Sequence, residues 1–212
     1  MKAPDRLGAE LESGAADLGV RLGASVVKDM LVFIGLMKRW NAVYNLTAVA
    51  DVEHMLTRHI LDSLSVVPHL HGSRIADIGS GAGLPGIPLA LACPQRQLTL
   101  IDSNAKRCRF LRQVKADLSL NNIKIVQQRV EKFQPDEKFD SLLSRAFSDL
   151  PDFIVSSRHL LEAGGKIIAM KGLWKAVMAE NLPPGIIIEK IVKLDVPGLN
   201  EQRHLVICAE SN

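Results

Sequence analysis

The sequence has no long hydrophobic run, few aromatic residues, little cysteine and no strong excess of either charge. Each shortage excludes something. The longest stretch near the N-terminus without a polar side chain, Met30 to Met37, is far short of the ~18 residues a membrane span requires. Met1-Lys2 gives way to Asp5, Arg6, Glu10 and Glu12 rather than to an apolar stretch, so no secretory signal is expected. The three cysteines, Cys93, Cys108 and Cys208, form no CxxC pair and leave an odd count. A disulfide framework or zinc knuckle is therefore not expected, and a reducing cytoplasm is the expected setting. With six Phe, two Trp and one Tyr, the chain is poor in the aromatic platforms on which single-stranded bases stack in RNP or OB folds. The formal net charge is only +3, which permits a nucleic-acid partner without demanding one.

What remains is a globular chain. Its 212 residues, 47% hydrophobic and 23% charged, can bury a sizeable core and suit one domain with an appendage. Residues 1–70 read as a helical extension: Leu7, Leu11 and Leu18 share a helical face, Ser25 is placed as an N-cap, and Val26, Val27, Met30, Leu31, Ile34 and Met37 keep a helical period to Trp40. Asp51 is placed as the cap of a further helix ending near Pro68. From residue 71 to 212 the rhythm changes. Strands are expected at 74–78, 97–101, 123–127, 139–144 and 166–170, with helices at 84–92, 105–120 and 150–161 between them. This βαβα alternation predicts a doubly wound, mainly parallel sheet covered on both faces. Two last β-rich runs, 185–196 and 204–209, are joined by Pro197-Gly198-Leu199-Asn200. That link is too short for a crossover helix, so an antiparallel hairpin at or near the sheet edge is expected, completing seven strands.

The chemistry centres on the end of the first strand, Asp77-Ile78-Gly79-Ser80-Gly81-Ala82-Gly83-Leu84-Pro85-Gly86. Glycines here allow positive φ in a tight strand-to-helix turn and let a ligand touch bare backbone. Gly81, Gly83 and Gly86 also fit the dinucleotide pattern GxGxxG, so the loop alone is ambiguous. Asp77 favours a different ligand. Its carboxylate would repel a pyrophosphate, whereas it can stabilise the loop and reach the ammonium of a methionine moiety. The second strand ends at Asp102, near the ~20-residue spacing at which an acidic group holds ribose hydroxyls; NAD and S-adenosylmethionine both carry such a ribose. Val130 and Glu131 follow the third strand, where an adenine would lie, and Leu84 can wall the pocket.

The ordered set resembles the class I S-adenosylmethionine-dependent methyltransferases and, more narrowly, the bacterial glucose-inhibited division protein B family. The resemblance rests on Trp40 to Thr47, Arg58 to Ser63, the Asp77 to Pro88 loop, Ser144-Arg145-Ala146 and Met170-Lys171-Gly172, and it covers nearly the whole chain. It implies the class I seven-stranded fold with a C-terminal antiparallel strand. It also implies S-adenosylmethionine as the cofactor, with no metal, and methylation of N7 of a guanine in the 530 loop of 16S ribosomal RNA. The partner implied is 16S rRNA or the assembling small ribosomal subunit, with no membrane involved and a monomer expected. Gly79, Leu84, Val130, Glu131 and Arg145 are the cofactor-contacting positions by that resemblance, beside Asp77, Gly81 and Asp102 from the loop argument.

Lys106, Arg107, Arg109, Arg112 and Lys115 crowd one helix with no acid between Asp102 and Asp117. They suit either a phosphate-binding face or a solvated one. Arg58, His59, Arg129, Arg145, Lys171 and Arg203 are further RNA candidates, and Asp62 is a carboxylate able to offset charge on a methylated base. Guanine N7 has an in-plane lone pair and no proton, so the reaction needs alignment rather than a general base. No residue is assigned as acid, base or nucleophile. Two alternatives stay open on the sequence: a methyltransferase for a small molecule or protein, and an NAD(P)-binding oxidoreductase or silent nucleotide-binding module.

Overall fold

Seven strands pair in the order β3-β2-β1-β4-β5-β7-β6 in a computed structural model, which describes residues 3–145, 147, 149–175 and 181–211. They are β1 (Arg74–Ile78), β2 (Gln97–Asp102), β3 (Ile123–Gln127), β4 (Phe139–Ser144), β5 (Leu161–Lys171), β6 (Ile186–Leu194) and β7 (Arg203–Glu210). The first five run parallel, while β7 is antiparallel to both β5 and β6. The expected hairpin is therefore present, with β6 at the edge. Chain order reverses between β1 and β4, and at such a switch point the loops after the two strands diverge and leave a crevice.

Side-chain alternation along β1 explains the two covered faces. Ile75 belongs to a core shared with α1 (Ala3–Asp17), α2 (Ala24–Tyr44), α5 (Gly86–Ala92) and α6 (Ala105–Asp117). Ala76 and Ile78 point the other way, into a core with α7 (Leu150–Ser157), Val130 and Phe133. The N-terminal helices join the first core directly, since Phe110 of α6 lies 6.3 Å from the ring of Phe33 and 5.4 Å from that of Trp40.

Several boundaries differ from the sequence expectation. The cap of α2 is Gly23, in extended conformation, and no side chain caps it, so Ser25 lies inside the helix. The helix runs on to Tyr44, where Asn45 adopts a left-handed conformation (φ 50°) and its N–H closes on the Asn41 carbonyl. Asp51 does cap α3 (Val52–Met55), its Oδ2 accepting from the His54 N–H at 3.0 Å. The expected regular helix beyond it is instead a π-helical turn, Leu56–Leu61, followed by the short α4 (Asp62–Leu64). α7 stops at Ser157 and β5 starts at Leu161 rather than Lys166. Gly164 (φ 76°) and Gly165 lie within that strand beside an irregular register between Phe139 and Ser141, so they mark a bulge.

Candidate active site

Three glycines shape the turn after β1. Gly79, Gly81 and Gly83 have φ of 71°, 58° and 81°, the left-handed region that side chains disfavour. The N–H groups of Gly79 and Ser80 both donate to the Ile101 carbonyl, at 2.9 and 3.2 Å, which fastens the loop to β2. A Cβ on Gly83 would stand 2.6 Å from Ile87 Cγ1, so that glycine serves packing. A Cβ on Gly81 would meet nothing closer than the Gly79 carbonyl at 3.8 Å, so its open side faces the groove.

Asp77 lies beneath this turn and not in the groove. It is fully buried, and its Oδ2 accepts from the Gly86 N–H at 3.0 Å, tying the end of β1 to the start of α5. Its Oδ1 is buried with no hydrogen-bond partner among the described residues. Burial pushes its carboxyl up to about 7, against the pull of the Gly86 N–H. Of the two roles expected for Asp77, loop support is in place; contact with a ligand ammonium has no opening as the loop stands.

Asp102 ends β2 and is only 5% exposed. Its Oδ2 accepts from the Gly81 N–H at 2.9 Å and its Oδ1 from the Asn104 N–H at 2.8 Å. The Arg107 guanidinium stands 3.5 Å from Oδ2. Asn104 in turn caps α6, accepting from the N–H groups of Lys106 and Arg107. The sequence reading did not single out Asn104, although an Asn just before a helical run is a signal for a cap.

Three adjoining hollows follow the C-terminal edge of the sheet. The first, about 240 Å³, is lined by Ile78, Gly79, Ile101, Asp102, Arg107, Val130, Glu131 and Phe147 among others. It brings the carboxylate at β2 together with Val130 and Glu131, which sit on a 3₁₀ turn after β3. The second, about 200 Å³, runs over the glycine turn and is lined by Thr47, Gly79, Gly81, Leu84, Arg107 and Arg145. The third, about 380 Å³, is lined by Thr47, Arg58, His59, Asp62, Arg145, Lys171 and Arg203. Gly79 and Arg107 are common to the first two, Thr47 and Arg145 to the last two, so the hollows form one groove. Every expected cofactor position except Asp77 lines it. Ala146, part of the quoted Ser144-Arg145-Ala146 segment, lies outside the described residues.

The third hollow is built around a buried carboxylate. Asp62 is 2% exposed; its Oδ2 accepts from Arg145 at 3.3 Å and its Oδ1 from Arg203 at 3.2 Å. Burial raises its carboxyl, and the two guanidinium groups oppose that rise. Arg58 and Arg203 both pair with Glu201, and Lys171 donates to the Phe147 carbonyl at 2.7 Å. Lys171 is itself buried, which lowers its ammonium from the ordinary lysine range.

His59 is part of this frame and has no hydrogen-bonding position to spare. Its Nδ1 lies 2.9 Å from the Arg58 carbonyl, which accepts only, so Nδ1 carries the proton. Its Nε2 then accepts from the Thr47 hydroxyl at 2.8 Å, and Thr47 Oγ1 accepts from the Val49 N–H. Burial, with Arg145 nearby, holds the imidazole down at about 4, so it is neutral at pH 7. Thr47 is a site residue the sequence reading did not single out; its place twelve residues before His59 gave no local sign of their contact.

The groove suits a sulfonium nucleoside in its donor set: a carboxylate for the ribose diol, open backbone at Gly79 and Gly81, and cations at the amino-acid end. Among the described residues no group of three or more His, Cys, Asp or Glu stands together as a metal site, and no helix is long and apolar enough to cross a membrane.

Comparison with known proteins agrees with this geometry. The family model described as GidB, rRNA small subunit methyltransferase G, matches residues 27–206. The chain is 46% identical over 197 residues to ribosomal RNA small subunit methyltransferase G of Laribacter hongkongensis, covering 93% of this chain and 95% of the relative. It is 47% identical over 196 residues to the protein of that name from Nitrosococcus oceani, covering 92% of each. Among solved structures it is similar in fold to magnesium protoporphyrin IX methyltransferase from Synechocystis with bound S-adenosylmethionine. That match has a TM-score of 0.61 at 17% identity, over 82% of this chain and 91% of that one. A glycopeptide N-methyltransferase complexed with S-adenosylmethionine gives a TM-score of 0.59 at 14% identity, over 73% and 88%. At such identities the structures speak for the class I fold alone. The family model and the curated relatives say more: the chain belongs to the GidB family of S-adenosylmethionine-dependent small-subunit rRNA methyltransferases.

Proposed function

We propose that the groove binds S-adenosylmethionine over the glycine turn and receives a guanine of 16S rRNA in the Arg145 hollow, where N7 of the base is methylated. The observation that carries this reading is the continuity of the groove. A nucleoside-sized hollow ending in Asp102 opens, past Gly79, Gly81 and Leu84, into a second chamber lined by cations, and Arg145 stands at the junction. In this reading Asp102 holds the ribose hydroxyls, and Val130 and Glu131 meet the adenine edge. Leu84 walls the pocket, and Arg145 stands near the methyl-donor end.

Bound S-adenosylmethionine supplies an electrophilic methyl group; the protein supplies placement. Guanine N7 offers its lone pair without losing a proton, so no side chain need accept one. A neutral, fully engaged His59 is consistent with that demand. Arg58, Lys171 and Arg203 suit the phosphates and acceptor atoms of a folded-out nucleotide. The positive charge that methylation leaves on the base is offset by the carboxylate of Asp62 in the wall of the same hollow. A cytoplasmic setting is the one an rRNA substrate favours, and three buried free thiols suit it.

The test is incubation of small-subunit rRNA with the protein and methyl-labelled cofactor, followed by mass spectrometry of the digested RNA. Label is expected on one guanine of the 530 loop. Gly81→Val, which puts a β-branched side chain at positive φ on the open face of the turn, is expected to abolish both labelling and cofactor binding in a protein that still folds. Normal calorimetric binding by that variant would overturn the placement of the cofactor.

A further inference from the structure

We propose that Arg107 is a cofactor-binding residue that exchanges partners: Asp102 holds it in the free protein, and it passes to the α-carboxylate of the cofactor's methionine part on binding. This rests on the reading of the groove as an S-adenosylmethionine site. A carboxylate has about four acceptor positions. Two of those on Asp102 are fixed by backbone, through the N–H groups of Gly81 and Asn104. The remaining two, one on each oxygen, are what a ribose diol needs, and the Arg107 guanidinium stands 3.5 Å from Oδ2, beside one of them. The diol and the guanidinium therefore compete for one carboxylate.

The side chain is free to move. It is 46% exposed, on the first turn of α6, and its ion pair is long. It also lines both the nucleoside hollow and the one over the glycine turn, so it reaches either without backbone movement. Once displaced, the guanidinium keeps its charge and is available to another anion. The only anionic group of S-adenosylmethionine or S-adenosylhomocysteine is its α-carboxylate, which would extend from the ribose over Gly81 into the second hollow. Among the other residues lining that hollow Arg145 is the one cation, and it is already tied to Asp62 and the Arg58 carbonyl. Arg107 is the cation with an ion pair to trade.

The test compares two ligands that share the nucleoside: S-adenosylhomocysteine, and its decarboxylated form, which keeps the ammonium and lacks the carboxylate. Calorimetric Kd values are measured for the wild-type protein and for Arg107→Gln. The wild type is expected to prefer the carboxylate-bearing ligand. In Arg107→Gln that preference is expected to fall about tenfold, the size of one charge-assisted hydrogen bond. The decarboxylated ligand should meanwhile bind tighter than to the wild type, because Asp102 is no longer covered. An unchanged ratio of the two Kd values would overturn the proposal. Failure of the wild-type protein to bind either ligand would strike the cofactor reading beneath it.

Discussion

His59 and Asp77 are both buried, and their proton equilibria are displaced in opposite directions. Asp77 rises from 3.8 to about 7 and His59 falls from 6.5 to about 4. Between pH 4 and 7 the folded state keeps a proton on Asp77 that the unfolded chain has lost. This contribution to stability is full below pH 4 and is lost as pH rises towards 7. Between pH 6.5 and 4 the unfolded chain takes up a proton that folded His59 refuses. That contribution is full above pH 6.5 and is lost as pH falls towards 4. The two windows overlap and oppose each other, so single variants should unmask what the wild type conceals. Relative to wild type, Asp77→Asn should gain melting temperature progressively from pH 4 to 7, and His59→Gln should gain it progressively from pH 6.5 down to 4. A difference for Asp77→Asn that does not change with pH would mean that its carboxyl titrates in the ordinary range. Neither displacement was legible in the sequence. Its place before the glycines allowed Asp77 both loop support and a ligand contact, and its burial beneath the turn with the Gly86 N–H on Oδ2 fits the first.

At the scale of elements, what could be read was local and what could not was long-range. The glycine turn was legible because positive φ is a property of single residues. The π-helical turn was not, since Leu56 and the run from His59 to Leu64 are buried together and no simple helical face describes them. Such turns recur at functional sites, and here it presents His59 to the hollow that Asp62, the first residue of α4, also lines. The ties from Asp62 to Arg145 and Arg203 span 83 and 141 residues, beyond any local pattern. The basic helix divides in the same way. Lys115 donates to the Ile123 carbonyl at 2.7 Å and Arg112 reaches Gln127, whereas Arg109 is exposed. Replacing Arg109 by Ala is expected to lower the slope of log K for RNA against log salt by about one, as loss of one phosphate contact does. Replacing Lys115 should leave that slope unchanged. Equal slopes in both variants and wild type would remove α6 from the RNA surface.

Across the whole molecule, seven strands and their alternation with helices were legible because each strand is a short apolar run between turn signals. The switch point between β1 and β4, which gives the groove its place, follows from strand order, and no segment of sequence displays it. Burial of the N-terminal helices in the same core as α5 and α6 fixes Thr47 and His59 against the edge of the sheet. The molecule thus joins the hollow at Asp102 to a cationic one, and the proposed reaction is transfer to an atom that has no proton to give. Single-turnover methylation of small-subunit RNA carrying 7-deazaguanine at the target nucleotide tests that claim most directly. This RNA is expected to bind with ordinary affinity and to accept no methyl group, because a C–H replaces the lone pair. Methylation at that same nucleotide would contradict it.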